Sequence, residues 1–147
     1  MSDVTDIDSI IKQMYTTVSG PAGAERDWDR MRSFYYPGAH LVRTGTDDDG
    51  VPCALVLDVE AYIENVTPIF KKMDFYEVEI ARRTESFGNI AHVFSTYEAR
   101  SAPHDTEPIK CGINSIQLYN DGSRWWIINM LWDNEREGNP LPEKYEA

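Results

Sequence analysis

Between residues 87 and 135 apolar and polar side chains alternate over three stretches, 89–102, 107–120 and 123–134, which predicts three consecutive strands. The connection Asn120-Asp121-Gly122-Ser123 reads as a hairpin turn, because Asp-Gly tolerates the positive φ of a tight two-residue turn. Residues 101–108, with two prolines, read as a longer loop. Upstream the period lengthens. Ile7, Ile10, Ile11, Met14 and Val18 recur at helical spacing over 3–19, behind acidic residues that suit a helix start. A second helix is expected over 24–36 with Trp28, Met31 and Tyr35 inward, stopped by Pro37-Gly38. A short strand over 39–44, a turn over 46–50 and a weak extended segment over 51–57 lead to Asp58. This residue is placed to cap a third helix that buries Val59, Tyr62, Ile63, Val66, Ile69, Phe70 and Met73. Pro68 is expected to kink or divide that helix near Thr67. Residues 75–86 then read as a strand, with Tyr76, Val78 and Ile80 alternating with Glu77, Glu79 and Ala81.

Alternation also sorts the sheet into two faces, provided the turn fixes the register. With Asn120 opposite Ser123, Leu118 faces Trp125, Ile116 faces Ile127, Asn114 faces Asn129 and Gly112 faces Leu131. The same parity carried into the first strand adds His92, Phe94, Thr96, Glu98 and Arg100 to that face. Its centre is then a polar patch of Thr96, Glu98, Asn114 and Asn129 within an apolar surround. The opposite face, with Val93, Tyr97, Ile113, Tyr119, Trp126, Ile128, Met130 and Trp132, is too apolar to stand in water. If one layer of helices covers the polar-centred face, a second copy of the chain is the natural cover for the aromatic one, and a homodimer is expected. The other reading puts the helices on the aromatic face and leaves the polar-centred one wet.

A length of 147 residues fits one domain, taken as 1–135 with an extended arm over 136–147 that carries Leu141 and Tyr145. The arm either packs across the dimer or frays. Fourteen basic against twenty-five acidic residues give a net charge of −11, without a Lys/Arg cluster, which argues against a nucleic-acid surface. An anionic ligand would need local basic groups. Cys53 and Cys111 have no metal-ligand spacing, no stretch reads as a signal peptide and no apolar run reaches membrane-spanning length, so incidental or buried thiols of a cytoplasmic protein are expected. The acidic run Asp47-Asp48-Asp49 fails as a calcium loop, because Pro52 stands where glycine is needed. His40, His92 and His104 are scattered, and no metal site is expected.

The order helix, helix, strand, helix and four long antiparallel strands, together with Gly88-Asn89-Ile90-Ala91-His92-Val93-Phe94-Ser95-Thr96-Tyr97-Glu98 and Gly122-Ser123-Arg124-Trp125-Trp126-Ile127-Ile128-Asn129-Met130-Leu131-Trp132-Asp133, resembles the nuclear transport factor 2-like superfamily. This is the polyketide-cyclase-like or ketosteroid-isomerase-like cone fold. The resemblance implies an α+β fold in which a strongly curved, mostly antiparallel sheet forms a cone, with about three helices closing a pocket on its concave face. It also implies dimerisation through the convex one. It implies no cofactor and leaves activity open, since isomerases, dehydratases, cyclases and binding modules share the fold.

Enzymes of this resemblance carry acids, bases and tyrosines on the concave face, which selects candidates here. Glu98 in an apolar pocket would be a proton shuttle, since desolvation raises a carboxyl pKa. Asn114 and Asn129 would hold a developing oxyanion. Tyr15, Trp28 and Tyr36 from the helices, and His92, Thr96 and Leu131 from the sheet, would line the substrate. His92 lies roughly 20 Å from Glu98 along the strand, too far for a dyad. The plainer reading pairs Glu98 with Arg100, Lys110 or a helix residue and lets the two asparagines satisfy each other. Three functions stand: a cofactor-free isomerase, dehydratase or cyclase acting on a small, largely apolar molecule; a binding module using the same pocket; and an interaction dimer whose cone is filled by side chains.

Overall fold

The computed structural model of the chain describes residues 2–105 and 107–146. Met1, Thr106 of the expected loop and Ala147 of the expected arm lie outside the described residues. The elements run α1 (Ile7–Val18), α2 (Trp28–Arg32), β1 (Tyr35–Thr46), β2 (Pro52–Asp58), α3 (Val59–Lys72), β3 (Tyr76–Phe87), β4 (Ile90–Arg100), β5 (Lys110–Asn120) and β6 (Trp125–Asn134), with short 3₁₀ turns at Ser2–Val4 and Glu143–Tyr145. The strands form one six-stranded sheet in the order β2-β1-β6-β5-β4-β3. It is antiparallel except where β1 runs parallel to β6. The sheet is curved and open, with the three helices on its concave face.

Each helix begins on an aspartate whose carboxylate takes an otherwise unpaired backbone N–H: Asp6 from Ser9, Asp27 from Arg30 and Asp58 from Ala61. The apolar stripe of α1 (Ile10, Ile11, Met14) meets Met31 and Phe34, Leu41, Val93, Ile116 and Ile127 in one dry core. Helix α3 runs through Pro68 without dividing, so of the two expected outcomes the division does not occur.

The second helix is five residues long, not thirteen. Residues before it wrap the buried Arg26, whose guanidinium donates to the carbonyls of Val18, Gly20, Pro21 and Ala24 and lies 4.5 Å from the Phe70 ring centre. Those carbonyls serve the cation and not a helix ladder. After Arg32 the chain turns at once into β1, so Tyr35 and Tyr36 are strand residues.

Register is where the expected faces come apart. β4 meets β5 with Ser95 opposite Asn114 and Glu98 opposite Cys111, so odd positions of β4 share a face with even positions of β5. In β6, Ile127 pairs with Leu118 but Asn129 pairs with Gln117, leaving Ile128 as a bulge that turns the rest of the strand over. A second bulge at Ile80 does the same in β3. The concave face therefore carries Val93, Ser95, Tyr97 and Ala99, Asn114 and Ile116, and Met130 and Trp132. Glu98, Asn129, His92, Thr96 and Leu131, all expected inside, lie on the convex face. A one-residue slip moves every side chain of a strand.

The arm folds back over its own convex face. Thr96 donates its hydroxyl to the Tyr145 carbonyl at 2.7 Å, the Phe94 and Tyr145 rings lie 5.3 Å apart, and Arg83 donates to the Lys144 carbonyl at 3.1 Å. This buries Thr96 from the side opposite the helices. Cys53 is exposed and Cys111 half-buried, both free thiols.

Candidate functional site

Cross-strand rows on the concave face build the site. In one row Glu77 of β3 is opposite Ala99 of β4, which is opposite Lys110 of β5. Backbones two strands apart are separated by roughly 10 Å, and the short Ala99 side chain lets the acid and the ammonium lean toward each other above it. In the next row Tyr97 is opposite Gly112. A Cβ at Gly112 would overlap the Tyr97 hydroxyl and the Asp133 carbonyl, so glycine alone lets the Tyr97 ring lie flat and donate to Asn134. A third row holds Arg82, Ser95, Asn114, Trp132 and Arg43.

Over these rows α3 and Phe75 close a cavity of about 190 Å³. Val66, Phe70, Phe75, Met130 and Trp132 supply apolar wall, while Glu77, Lys110, Arg43, Asn114, Tyr62 and Tyr97 supply polar groups. Ile69, Ile109 and Lys110 are exposed and mark its mouth. Burial pushes the Glu77 carboxyl up to about 7, against the opposing pull of the Lys110 ammonium and a hydrogen bond from the Asn114 amide. Desolvation lowers Lys110, and Arg43 adds repulsion while Glu77 opposes both. Tyr62 is pushed well above the usual phenol range by burial and stays a phenol. Its hydroxyl has no hydrogen-bond partner among the described residues, whereas its ring meets Trp132 edge-on at 6.1 Å.

Behind this wall runs a closed hydrogen-bond chain. Asn114 Nδ2 donates to the Tyr15 hydroxyl at 2.9 Å, which lies 2.6 Å from Ser95 Oγ. Ser95 gives its own proton to the Glu79 carboxylate, so Tyr15 must donate to Ser95. Arg82 clamps Glu79 from Nε and Nη2 and reaches Asp8 of α1. This chain locks Asn114 and leaves Glu77 as the carboxyl that faces the cavity among the described residues.

No family model matches the chain, and no curated protein matches it in sequence. Solved structures do match its shape. A protein of unknown function with a cystatin-like fold from Nostoc punctiforme superposes with a TM-score of 0.66 at 8% identity, over 88% of each chain. A nuclear transport factor 2-like protein of unknown function from Pseudomonas putida gives 0.62 at 12% identity, over 96% of this chain and 94% of that one. Another from Silicibacter pomeroyi gives 0.57 at 10%, over 88% and 92%. The chain has the nuclear transport factor 2-like fold.

On this nuclear transport factor 2-like frame the expected candidates are scattered. Asn114 lines the cavity. Tyr15 is buried behind it and holds it in place. Trp28 stacks on Phe70 at 6.3 Å, on the helical side of the wall. Glu98 is on the convex face, bonded to Arg100 at 2.6 Å, one of the partners the plainer reading named. Asn129 donates to Gln117 at 3.3 Å, and His92 Nε2 lies 2.9 Å from Glu85. Thr96 and Leu131 lie under or beside the arm. Tyr36 is exposed, in edge contacts with Tyr119 and Trp126. The residues missed are Glu77, Lys110, Arg43 and Tyr62. The available signal was Glu77 and Glu79 alternating with apolar positions beside a strand whose partner residues, Tyr97 and Ala99, are buried. Among the described residues no helix is long and apolar enough to cross a membrane, and no cluster of His, Cys, Asp and Glu could hold a metal ion.

Proposed function

We propose that this nuclear transport factor 2-like chain is a cofactor-free proton-transfer enzyme of the isomerase or lyase kind, acting on a small, mostly apolar carbonyl compound with Glu77 as its base and acid. The observation that carries this reading is the single carboxyl set in an apolar cavity, with a pKa of about 7 that matches both halves of a proton shuttle. The Glu77 carboxylate takes a proton from the carbon beside the carbonyl, and the C–H electron pair moves into the carbonyl to leave charge on oxygen. The Tyr62 hydroxyl, otherwise without a partner among the described residues, is the donor for that oxyanion. Where the compound carries a double bond one carbon further on, the electron pair spreads over it, and Glu77 returns the proton to its far carbon as the double bond moves into conjugation, so the atoms balance and the carboxylate is regenerated.

The test is proton–deuterium exchange, followed by proton NMR in D₂O, for a panel of enolisable carbonyl compounds of roughly six to ten non-hydrogen atoms, the size range such a cavity admits. Faster exchange than buffer for at least one compound, rising with pH to a midpoint near 7 and abolished in Glu77→Gln, is expected. Exchange unchanged in that variant, or absent throughout the panel, overturns the reading and leaves the binding module.

A homodimer through the convex face is part of the same proposal. Exposed Ile90, Phe94 and Leu131 lie there around Gln117 and Asn129, the neutral middle of a row that ends in Glu85 and Asp58, and apolar side chains of this size favour contact with a second copy. Sedimentation of Ile90→Asp as a monomer beside a dimeric wild type supports it, and a monomeric wild type removes it.

A further inference from the structure

We infer that the ligand of the Glu77 cavity is a small monocarboxylate with an apolar body of about one ring, its carboxylate held by Arg43 and Lys110. The chemical class follows from which charges face the cavity and which are already spent. Among the described residues, Arg30, Arg32, Arg82, Arg100 and Arg136 are all in ion pairs with carboxylates. Of the remaining basic residues, which have no such pair among the described residues, Arg43 and Lys110 are the two that line the cavity. Arg43 Nη2 donates to the neutral Asn65 carbonyl at 2.8 Å with its guanidinium 6.0 Å from the Trp132 ring centre, and Lys110 Nζ lies 5.9 Å from that of Phe75. Two cations thus share one cavity in a chain of net charge −11, and one acid, Glu77, opposes them. With Glu77 protonated, no described residue lining the cavity supplies a counter-anion.

Volume sets the size. An apolar cavity of about 150 Å³ takes a benzene ring, and this one has about 190 Å³, room for a ring and one carboxylate. Trp132, Phe70 and Val66 make the wall for the ring, and Arg43 and Lys110 line the same cavity, near enough for each to feel the other's charge. This inference rests on the cavity being the functional site and deepens the reading above, since a substrate acid brings its own handle to the cations while Glu77 works on the carbon skeleton.

Glu77 is the titrating group that links anion binding to pH. Facing it are Lys110 of β5, Arg43 of β1, Tyr62 of α3, Tyr97 of β4 and, behind the wall, Tyr15 of α1 and Glu79 of β3. Burial keeps the phenols protonated near neutrality, so ionisation of Glu77 is what places a negative charge against the ligand. Affinity for an anion should fall as pH rises through about 7 and be flat in Glu77→Gln.

Benzoate and its neutral isostere benzamide are the probes, titrated into the intact chain by calorimetry. At about pH 6, benzoate is expected to bind at least tenfold tighter than benzamide. Lys110→Met and Arg43→Met should each cost benzoate about tenfold and leave benzamide unchanged, which also reports that each variant is folded. Equal affinity for the two probes, no binding of benzoate, or benzoate affinity unmoved in both variants overturns the inference. The two readings fail separately. Loss of charge selection with Glu77-dependent exchange intact removes the carboxylate and keeps the enzyme, and selective benzoate binding without exchange does the reverse.

Discussion

Asn114 and Asn129 stand on neighbouring strands of one sheet and carry the same side chain, yet they belong to regions built on opposite rules. Around Asn114 the sheet is covered by helices, and the polar groups behind the cavity wall are paired: Tyr15, Ser95, Glu79 and Arg82 form one chain with Asn114. Around Asn129 the convex face offers a row of Glu85, His92, Gln117, Asn129, His40 and Asp58, one residue from each strand. In a single chain that row stands open to water, and its hydrogen bonds are exposed. Residue type alone says little here. Burial turns one carboxyl, Glu77, into a group that titrates near neutrality, while Glu98 on the wet side is an ordinary partner of Arg100.

The sharpest way to break the concave region is Gly112→Ala. The added methyl has backbone on one side and the Tyr97 hydroxyl on the other, so relief requires moving β6 or expelling the ring. A loss of about 3 kcal/mol is expected, a fall of roughly 6–12 °C in Tm for a chain of this size. Thermal unfolding checks it, and a change within about 0.5 kcal/mol would mean that the β5–β6 approach is looser than described. The matched convex substitution, Gln117→Ala, should stay within that same margin.

Next in size is the pH dependence that Glu77 imposes. Its folded pKa, about 7, lies above the ordinary 4.5, so between these values the folded chain holds a proton that the unfolded chain has released. The contribution is complete below about 4.5 and is lost as pH rises through 7, amounting to ~3 kcal/mol over the window. Glu77→Gln removes the loss. Urea unfolding should find the variant about 2–3 kcal/mol more stable than wild type at about pH 8 and nearly equal at about pH 5. A constant difference at both pH values would show that Glu77 titrates normally.

Much of the fold was legible because its signals are local. Helical spacing in α1 and α3, the cap at Asp58, and four strands bounded by turn residues each follow from a few adjacent side chains. The α+β class and the curved sheet under its helices followed from the order of those elements. Face assignment did not, because parity must be carried across connections. The hairpin at Asp121-Gly122 keeps Leu118 and Ile127 on the concave side, though with Trp125 rather than Ser123 opposite Asn120. The bulge at Ile128 then reverses Asn129, Met130, Leu131 and Trp132, and no residue there announces it. The long loop before β5 leaves the parity of β4 open, and the wrong choice put Glu98 inside in place of Tyr97. Glu77 was passed over for a related reason: its strand was recognised, but nothing nearby fixed which of its faces is inward.

Between the two asparagines themselves the comparison can be made quantitative. Asn114→Ala removes the donor to the buried Tyr15 hydroxyl and the hydrogen bond that holds Glu77 down, so a loss of about 1–2 kcal/mol is expected together with a Glu77 midpoint above 7 by carboxyl-carbon NMR titration. Asn129→Ala breaks a 3.3 Å bond between exposed amides and should cost at most about 0.5 kcal/mol without moving that midpoint. Equal effects from the two would erase the distinction between a dry and a wet face.

The smallest expected effect is also the most direct check on which acid matters. Glu98 and Arg100 make a short two-point contact on the convex side, each side chain about one-fifth exposed. Water competes for both groups, so Glu98→Gln should cost only about 0–1 kcal/mol. Because Glu98 projects from the face opposite the cavity, the same variant should leave the pH midpoint of Glu77 and any Glu77-dependent exchange where they are. A Glu98 variant that shifted either would show that charge on the convex face reaches through the sheet, and the separation of the two faces would then be one of geometry without being one of electrostatics.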